Sequence, residues 1–149
     1  MKSIQKNTAV LIFAIIVGGL VNMGLVIFGP VIIPAPSGVD VTDVESIAAS
    51  MHLFEPKHFI FPFLAHAIGT LTGAVVAYMM VVSHSSVFAY VIGGVFMLGG
   101  IVNAFMIPSP VWYLFVDLLA AYIPMAWLGT IIGKHIRKPP DSGRSLIRE

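Results

Sequence analysis

The sequence predicts an all-α membrane protein: a four-transmembrane-helix bundle with a short amphipathic helix in its outer loop. Three observations carry this expectation. The 149 residues are 58% hydrophobic and 10% charged, where soluble domains run at roughly 45–50% and about 25%. Between Lys57 and Lys134 only one side chain is formally charged, Asp117. Four apolar segments are each close to the ~20 residues needed to cross a ~30 Å hydrocarbon core.

The first segment, about 8–29, follows Lys2 and Lys6 and closes at Pro30 and Pro34. Its charge-free run extends from Asn7 to Val39. A cleavable signal has an apolar region of only about 7–15 residues, so this reads as a retained helix. The second segment, about 58–82, ends in the polar turn Ser83-His84-Ser85-Ser86. The third, about 87–107, ends at Pro108-Ser109-Pro110, and the fourth, about 111–133, ends in Lys134-His135-Ile136-Arg137-Lys138. Residues 1–138 thus form the transmembrane domain, and 139–149 read as a flexible cytoplasmic tail.

Charge sets the expected orientation. Lys2 and Lys6 flank one terminus, and Lys134, Arg137, Lys138, Arg144 and Arg148 the other. The first loop holds Lys57 against Asp40, Asp43, Glu45 and Glu55. The positive-inside rule places both termini in the cytoplasm and this acidic loop outside. Within the loop, Thr42-Asp43-Val44-Glu45 has the spacing of a capping box. Val44, Ile47, Ala48, Met51 and Phe54 then share one helical face, which predicts an amphipathic helix over about 43–54, stopped by Pro56. Such a helix lies on the membrane surface or over the mouth of the bundle. A packed connector is the plainer reading.

Gly18-Gly19-Leu20-Val21-Asn22 in the first segment is echoed by Gly99-Gly100-Ile101-Val102-Asn103 in the third. This is a candidate repeat of two helical hairpins, pairing Asn22 with Asn103 and, loosely, His66 with Asp117. Depth groups the same four residues independently. Counted at 1.5 Å per residue, Asn22 and His66 lie about 12 Å below the outer boundary, Asp117 about 9 Å and Asn103 about 6 Å. Each polar group is expensive against lipid and cheap against the others. We therefore expect an inward-facing cluster of Asn22, His66, Asn103 and Asp117. Gly69-x-x-x-Gly73 and Gly129-x-x-x-Gly133 would let helices approach closely. Pro62 and Pro124, inside their segments, would each free a backbone carbonyl.

Two readings of the cluster stand side by side. As structure, it fixes the register of four helices, although such interhelical hydrogen bonds average only about 0.6 kcal/mol. As function, Asp117 and His66 are a protonatable pair reached from outside, with Asn22 and Asn103 orienting a substrate or water. A divalent metal is a weaker option: His52, Glu55 and His58 surround the start of the second segment, and imidazole with carboxylate suits zinc, copper or iron. Pro56 breaks their helical spacing. With only His66 well inside a segment, a haem held by two histidines is weaker still.

Other chemistry is excluded or unsupported. The absence of cysteine excludes disulfides, thiolate metal sites and thiol redox chemistry. Net charge +1 gives no field directed at nucleic acid. There is no phosphate loop, nucleophile elbow or H-E-x-x-H, and no cofactor is expected. The leading expectation is a transport or permeation protein for a proton, ion or small solute, acting as a homo-oligomer through its small-residue faces. The alternatives are a non-catalytic accessory or scaffold subunit bound to a membrane-protein partner, and a metal- or cofactor-dependent membrane enzyme.

Residues Met51 to His66 and the segment Ala121-Tyr122-Ile123-Pro124-Met125-Ala126-Trp127 resemble parts of small bacterial four-helix integral membrane proteins generally left without an assigned function. The resemblance implies a multi-pass protein of the bacterial inner membrane. It implies no activity and no site residues.

Overall fold

A computed structural model describes residues 2–137 of the chain. The expected tail at 139–149, with Arg144 and Arg148, lies outside the described residues, as does Lys138. Among the described residues the only regular structure is helical. Helix α1 spans Lys2–Ile32, α2 Val44–Ala49, α3 Ile60–Met80, α4 Ser85–Met106, α5 Val111–Ala120 and α6 Ile123–Ile136. Short 3-10 turns at Met51–Leu53 and Pro56–Phe59 join α2 to α3. Four segments are long and apolar enough to cross a membrane: α1, the Pro56–Met80 stretch, α4, and α5 with α6 counted together.

Several boundaries move from those expected. α1 continues past Pro30, and the Ile33 N–H closes it on the Gly29 carbonyl at 2.9 Å. Proline's ring normally clashes with the Cβ of the residue before it, and Gly29 has none. The capping box expected at Thr42 is not formed. Asp43 is the N-cap of α2, accepting from the N–H groups of Glu45 and Ser46, while Thr42 is held by Asp40 through its N–H (2.8 Å) and hydroxyl (2.7 Å). A capping box appears instead at the 3-10 turn before α3. There the Glu55 N–H donates to His58 Nδ1 at 2.8 Å, and the Glu55 side chain answers the His58 backbone.

The two prolines act differently. Pro62 sits in the first turn of α3, where a missing N–H costs the ladder little. Pro124 stands at the start of α6 and belongs to a full break in the fourth crossing. The Ala121 N–H closes α5 on the Asp117 carbonyl (2.9 Å), the Ala126 N–H opens α6 on the Tyr122 carbonyl (2.8 Å), and no backbone hydrogen bond bridges the two. The interruption lies about 15 Å from the start of the crossing at 1.5 Å per residue, near the middle of a ~30 Å hydrocarbon layer.

α3 is the central element, packed against α1, α4 and α6. Small residues make that possible. A Cβ added to Gly18 would lie 2.6 Å from the Gly69 carbonyl oxygen and 3.3 Å from the Gly73 Cα, so α1 and α3 approach backbone to backbone. Gly129 rests on Ala74, and Gly133 on the ring of Tyr78. The two GxxxG faces are therefore consumed inside the chain, which removes them as contacts for a second copy. Around them Ala14, Ala74, Ala77, Ala89, Ile92 and Ala126 are fully buried. The two double-glycine motifs also differ in use. Gly18 is pressed against α3, whereas Gly99, its counterpart in the candidate repeat, has nothing within 4 Å.

Arg137 ties the end of α6 to the α3–α4 turn. One guanidinium nitrogen donates to the carbonyls of Tyr78 (3.4 Å) and Val81 (3.0 Å) and to Ser85 Oγ (2.7 Å). It thereby satisfies carbonyls left free where α3 ends.

Candidate functional site

The break in the fourth crossing builds the polar centre. Asp117 stands in the last turn of α5 and Tyr122 precedes α6, and both are almost wholly buried. His66 reaches them from the second turn of α3. Its Nδ1 lies 2.9 Å from both carboxylate oxygens of Asp117, and the Tyr122 hydroxyl donates to Oδ2 at 2.9 Å. The His66 and Tyr122 rings sit 5.6 Å apart at 32°. The carboxylate thus has two donors on two elements. With the carboxylate ionised, Nδ1 must carry the hydrogen. Nε2 is then the acceptor nitrogen of the ring, and it makes no hydrogen bond among the described residues.

Gly100 on α4 supplies the seat for Tyr122. A Cβ at position 100 would fall on the hydroxyl and ring of Tyr122, so only glycine leaves that space. Ala67 and Ala121, both buried, pack around the same side chain. A tyrosine in an apolar helix has an adequate reading as a half-apolar filler, and sequence reasoning passed over Tyr122. The available signal was its position five residues after Asp117, in a segment where Pro124 can interrupt the helix.

A cavity of about 690 Å³ reaches this centre from the α2 end of the molecule. Asn22, His66 and Asn103 all line it, while Asp117 stands behind His66 and does not. The four expected residues are therefore brought to one region in two layers: three facing the cavity, and one held beneath by hydrogen bonds. Asn22 and Asn103 make no side-chain hydrogen bond to Asp117 or to each other among the described residues; the carboxylate takes His66 and Tyr122 instead. Asn22 packs over Gly69, one turn from His66 on α3. The α2 segment forms the roof through Ile47 and, in the turn after it, Met51 and Phe54. Tyr113 also lines the cavity and packs on Phe59, ring centroids 4.8 Å apart and planes tilted by 39°.

The candidate metal ligands are not gathered. His58 Nδ1 accepts the Glu55 N–H, and Glu55 pairs with Lys57 at 3.0 Å. Among the described residues no group of three or more His, Asp or Glu side chains could hold a metal ion. The short, 3-10 connection between Met51 and Phe59 turns these side chains to capping and surface pairing. Trp112, half exposed beside Phe59, has the position expected of an interfacial aromatic residue.

No known protein family, curated protein or solved structure gives a match to this chain.

Proposed function

We propose that the chain is a four-helix bundle of the bacterial inner membrane, with both termini cytoplasmic and the α2 loop outside. In this reading it is a small transport or permeation protein. A proton or small solute enters the cavity from the α2 end and is received by His66, Asn22 and Asn103. Asp117 and Tyr122 act from behind, holding the His66 ring in one orientation and offsetting charge that appears on it.

One observation carries this reading: a cavity in the size range of ligand sites ends on a histidine whose other nitrogen is fixed by a buried carboxylate. Two features support it. The crossing that supplies the carboxylate is discontinuous near mid-membrane, a form that transporters use to build substrate and ion sites. Away from α2, Ala14, Ala74, Ile92 and Ala126 are packed without exposure, the close packing that the shut side of an alternating-access protein needs.

The test is flux in proteoliposomes: proton flux read by an enclosed pH-sensitive dye, and neutral-solute entry by osmotic swelling. Wild-type protein should conduct above empty vesicles. Asp117→Asn and His66→Ala should each lower the rate at least about tenfold, roughly the effect of losing 1.4 kcal/mol. Full flux in both variants would end the proposal.

The accessory-subunit reading keeps one specific support. Gly19, Gly94 and Gly99 have no neighbour within 4 Å, leaving notches where another helix could seat. Replacing them with Leu would then abolish co-purification of a partner and leave flux unchanged.

A further inference from the structure

We infer that the cavity takes an uncharged amphiphile from the bilayer, with a hydrocarbon body in its apolar part and one hydrogen-bonding head at His66, Asn22 and Asn103. This rests on the reading of the cavity as the receiving site and narrows what it receives.

Charge is the first argument. No Asp, Glu, Lys or Arg lines the cavity. Asp117 stands behind His66 with both carboxylate oxygens engaged. A charged solute would shed water and meet no free counter-charge, a cost of several kcal/mol per ion in a poorly solvated interior. A hydroxyl or carbonyl faces no such cost, because neutral imidazole and amide groups can donate to it or accept from it. The remaining walls are mostly aliphatic and aromatic, among them Met23 and Ile27 from α1, Phe61 from α3 and Ile107 just after α4, with Thr42, His58, Ser109 and Tyr113 adding polar atoms from the loops and α5. They offer a sugar or other polyol few partners for its hydroxyls, whereas a hydrocarbon chain loses nothing there.

Position is the second argument. α1 and α4 meet where Phe96 lies against Gly18. Toward the α2 end both line the cavity, so the cavity separates them. Met23, Ile27 and Asn103 are themselves exposed, in segments that cross the membrane. The cleft therefore opens sideways at hydrocarbon depth. Above it stand the apolar side chains of Ile47, Met51 and Phe54. A solute dissolved in the bilayer has the direct entry, with its head drawn to His66, Asn22 and Asn103.

The experiment uses the full chain in nanodiscs with a hexadecanol carrying a mid-chain diazirine. Matched probes of the same chain length carry a carboxylate or a trimethylammonium head. Peptides labelled on illumination are read by mass spectrometry. The alcohol should label residues 22–27 and 61–66 saturably and be displaced by unlabelled hexadecanol. His66→Ala should weaken it about five- to tenfold, as expected for one buried hydrogen bond. Ile27→Trp, which fills the cleft without touching the polar groups, should abolish saturable labelling. Labelling of the exposed Phe105 and Leu119 should stay unsaturable throughout. Equal or stronger saturable labelling by either charged probe, or labelling indifferent to Ile27→Trp, would overturn the inference. Flux that depends on His66 without saturable alcohol labelling would overturn it while leaving the transport reading standing. Saturable labelling without flux would sustain the inference and end transport.

Discussion

Replacing His66 with Leu should destabilise the protein by about 3–5 kcal/mol, the range for leaving a buried charge without its partner. Asp117 is only 4% exposed, so water cannot replace what is lost. Of its two donors the variant keeps Tyr122, at 2.9 Å, and loses the imidazole that spans both oxygens. Two effects compete in setting the size. An interhelical hydrogen bond in a membrane protein contributes about 0.6 kcal/mol on average, whereas an unpaired, desolvated carboxylate costs several times that. Removing the carboxylate and its second donor as well should separate them. The triple variant His66→Leu, Asp117→Leu, Tyr122→Phe leaves no stranded group, and buried pairs replaced by apolar residues are often neutral or stabilising. The assay is thermal unfolding in one fixed detergent, followed by far-UV circular dichroism. For a chain of this length 1 kcal/mol shifts the midpoint by roughly 2–4 °C. The single variant should therefore fall by roughly 6–20 °C, with the triple variant within a few degrees of wild type. A single variant only 1–3 °C below wild type would refute the reasoning, since the bond alone would then account for the loss. A triple variant as unstable as the single would refute it equally.

Gly100→Ala should cost about 1–3 kcal/mol, as overpacking does in a close-packed interior, and Tyr122→Leu should relieve most of that cost by removing the ring that the new Cβ meets; a double-mutant cycle in the same melts checks the coupling. Arg137→Ala should loosen the α3–α4 turn by about 1 kcal/mol, discounted for its exposure, with faster amide exchange confined to residues around Val81 and Ser85. Gly69→Leu should displace α1, because even a Cβ there would lie 2.9 Å from the Gly18 carbonyl; the expected result is loss of folded monomer with no change in the association of what remains. The loop before α2 should respond to acid. Two hydrogen bonds from Thr42 hold the Asp40 carboxyl below its ordinary 3.8, so the ionised form favours the turn. The ordering is present at neutral pH and lost as pH falls through and below the usual carboxylate range, which Thr42 amide protection measured against Asp40→Ala should follow.

The sequence disclosed the helices and the chemistry at different depths. Length and hydropathy are local sums, and four crossings followed from them almost without tertiary information. The pairing of His66 with Asp117 followed from cost alone, because neither group is cheap against lipid and they lie at similar depth. The capping of α2 slipped by one residue for a local reason. Asp40 competes for Thr42, and Asp43 is then the better-placed acceptor for the first free N–H groups. The GxxxG faces announced close approach but not which helix would approach. That answer depends on α3 being central, with a neighbour for each of its small-residue faces already in the same chain.

Tyr122 marks where local reading ends. Its hydroxyl reaches Asp117 because the fourth crossing breaks between Ala121 and Ile123, and because Gly100 on another helix leaves room for the ring. Pro124 permits the break without dictating it, since proline is equally at home in the first turn of a new helix and at a kink in a continuous one. The break leaves backbone N–H and carbonyl groups without helical partners near mid-membrane, which is tolerable only where protein or a cavity surrounds them. Here Ala121 and Tyr122 are fully enclosed. A chain that needed only four helices in register had cheaper solutions than an interrupted crossing, a seated tyrosine and a buried carboxylate. Their convergence behind the one histidine that lines the cavity at depth favours a working site over a structural tie.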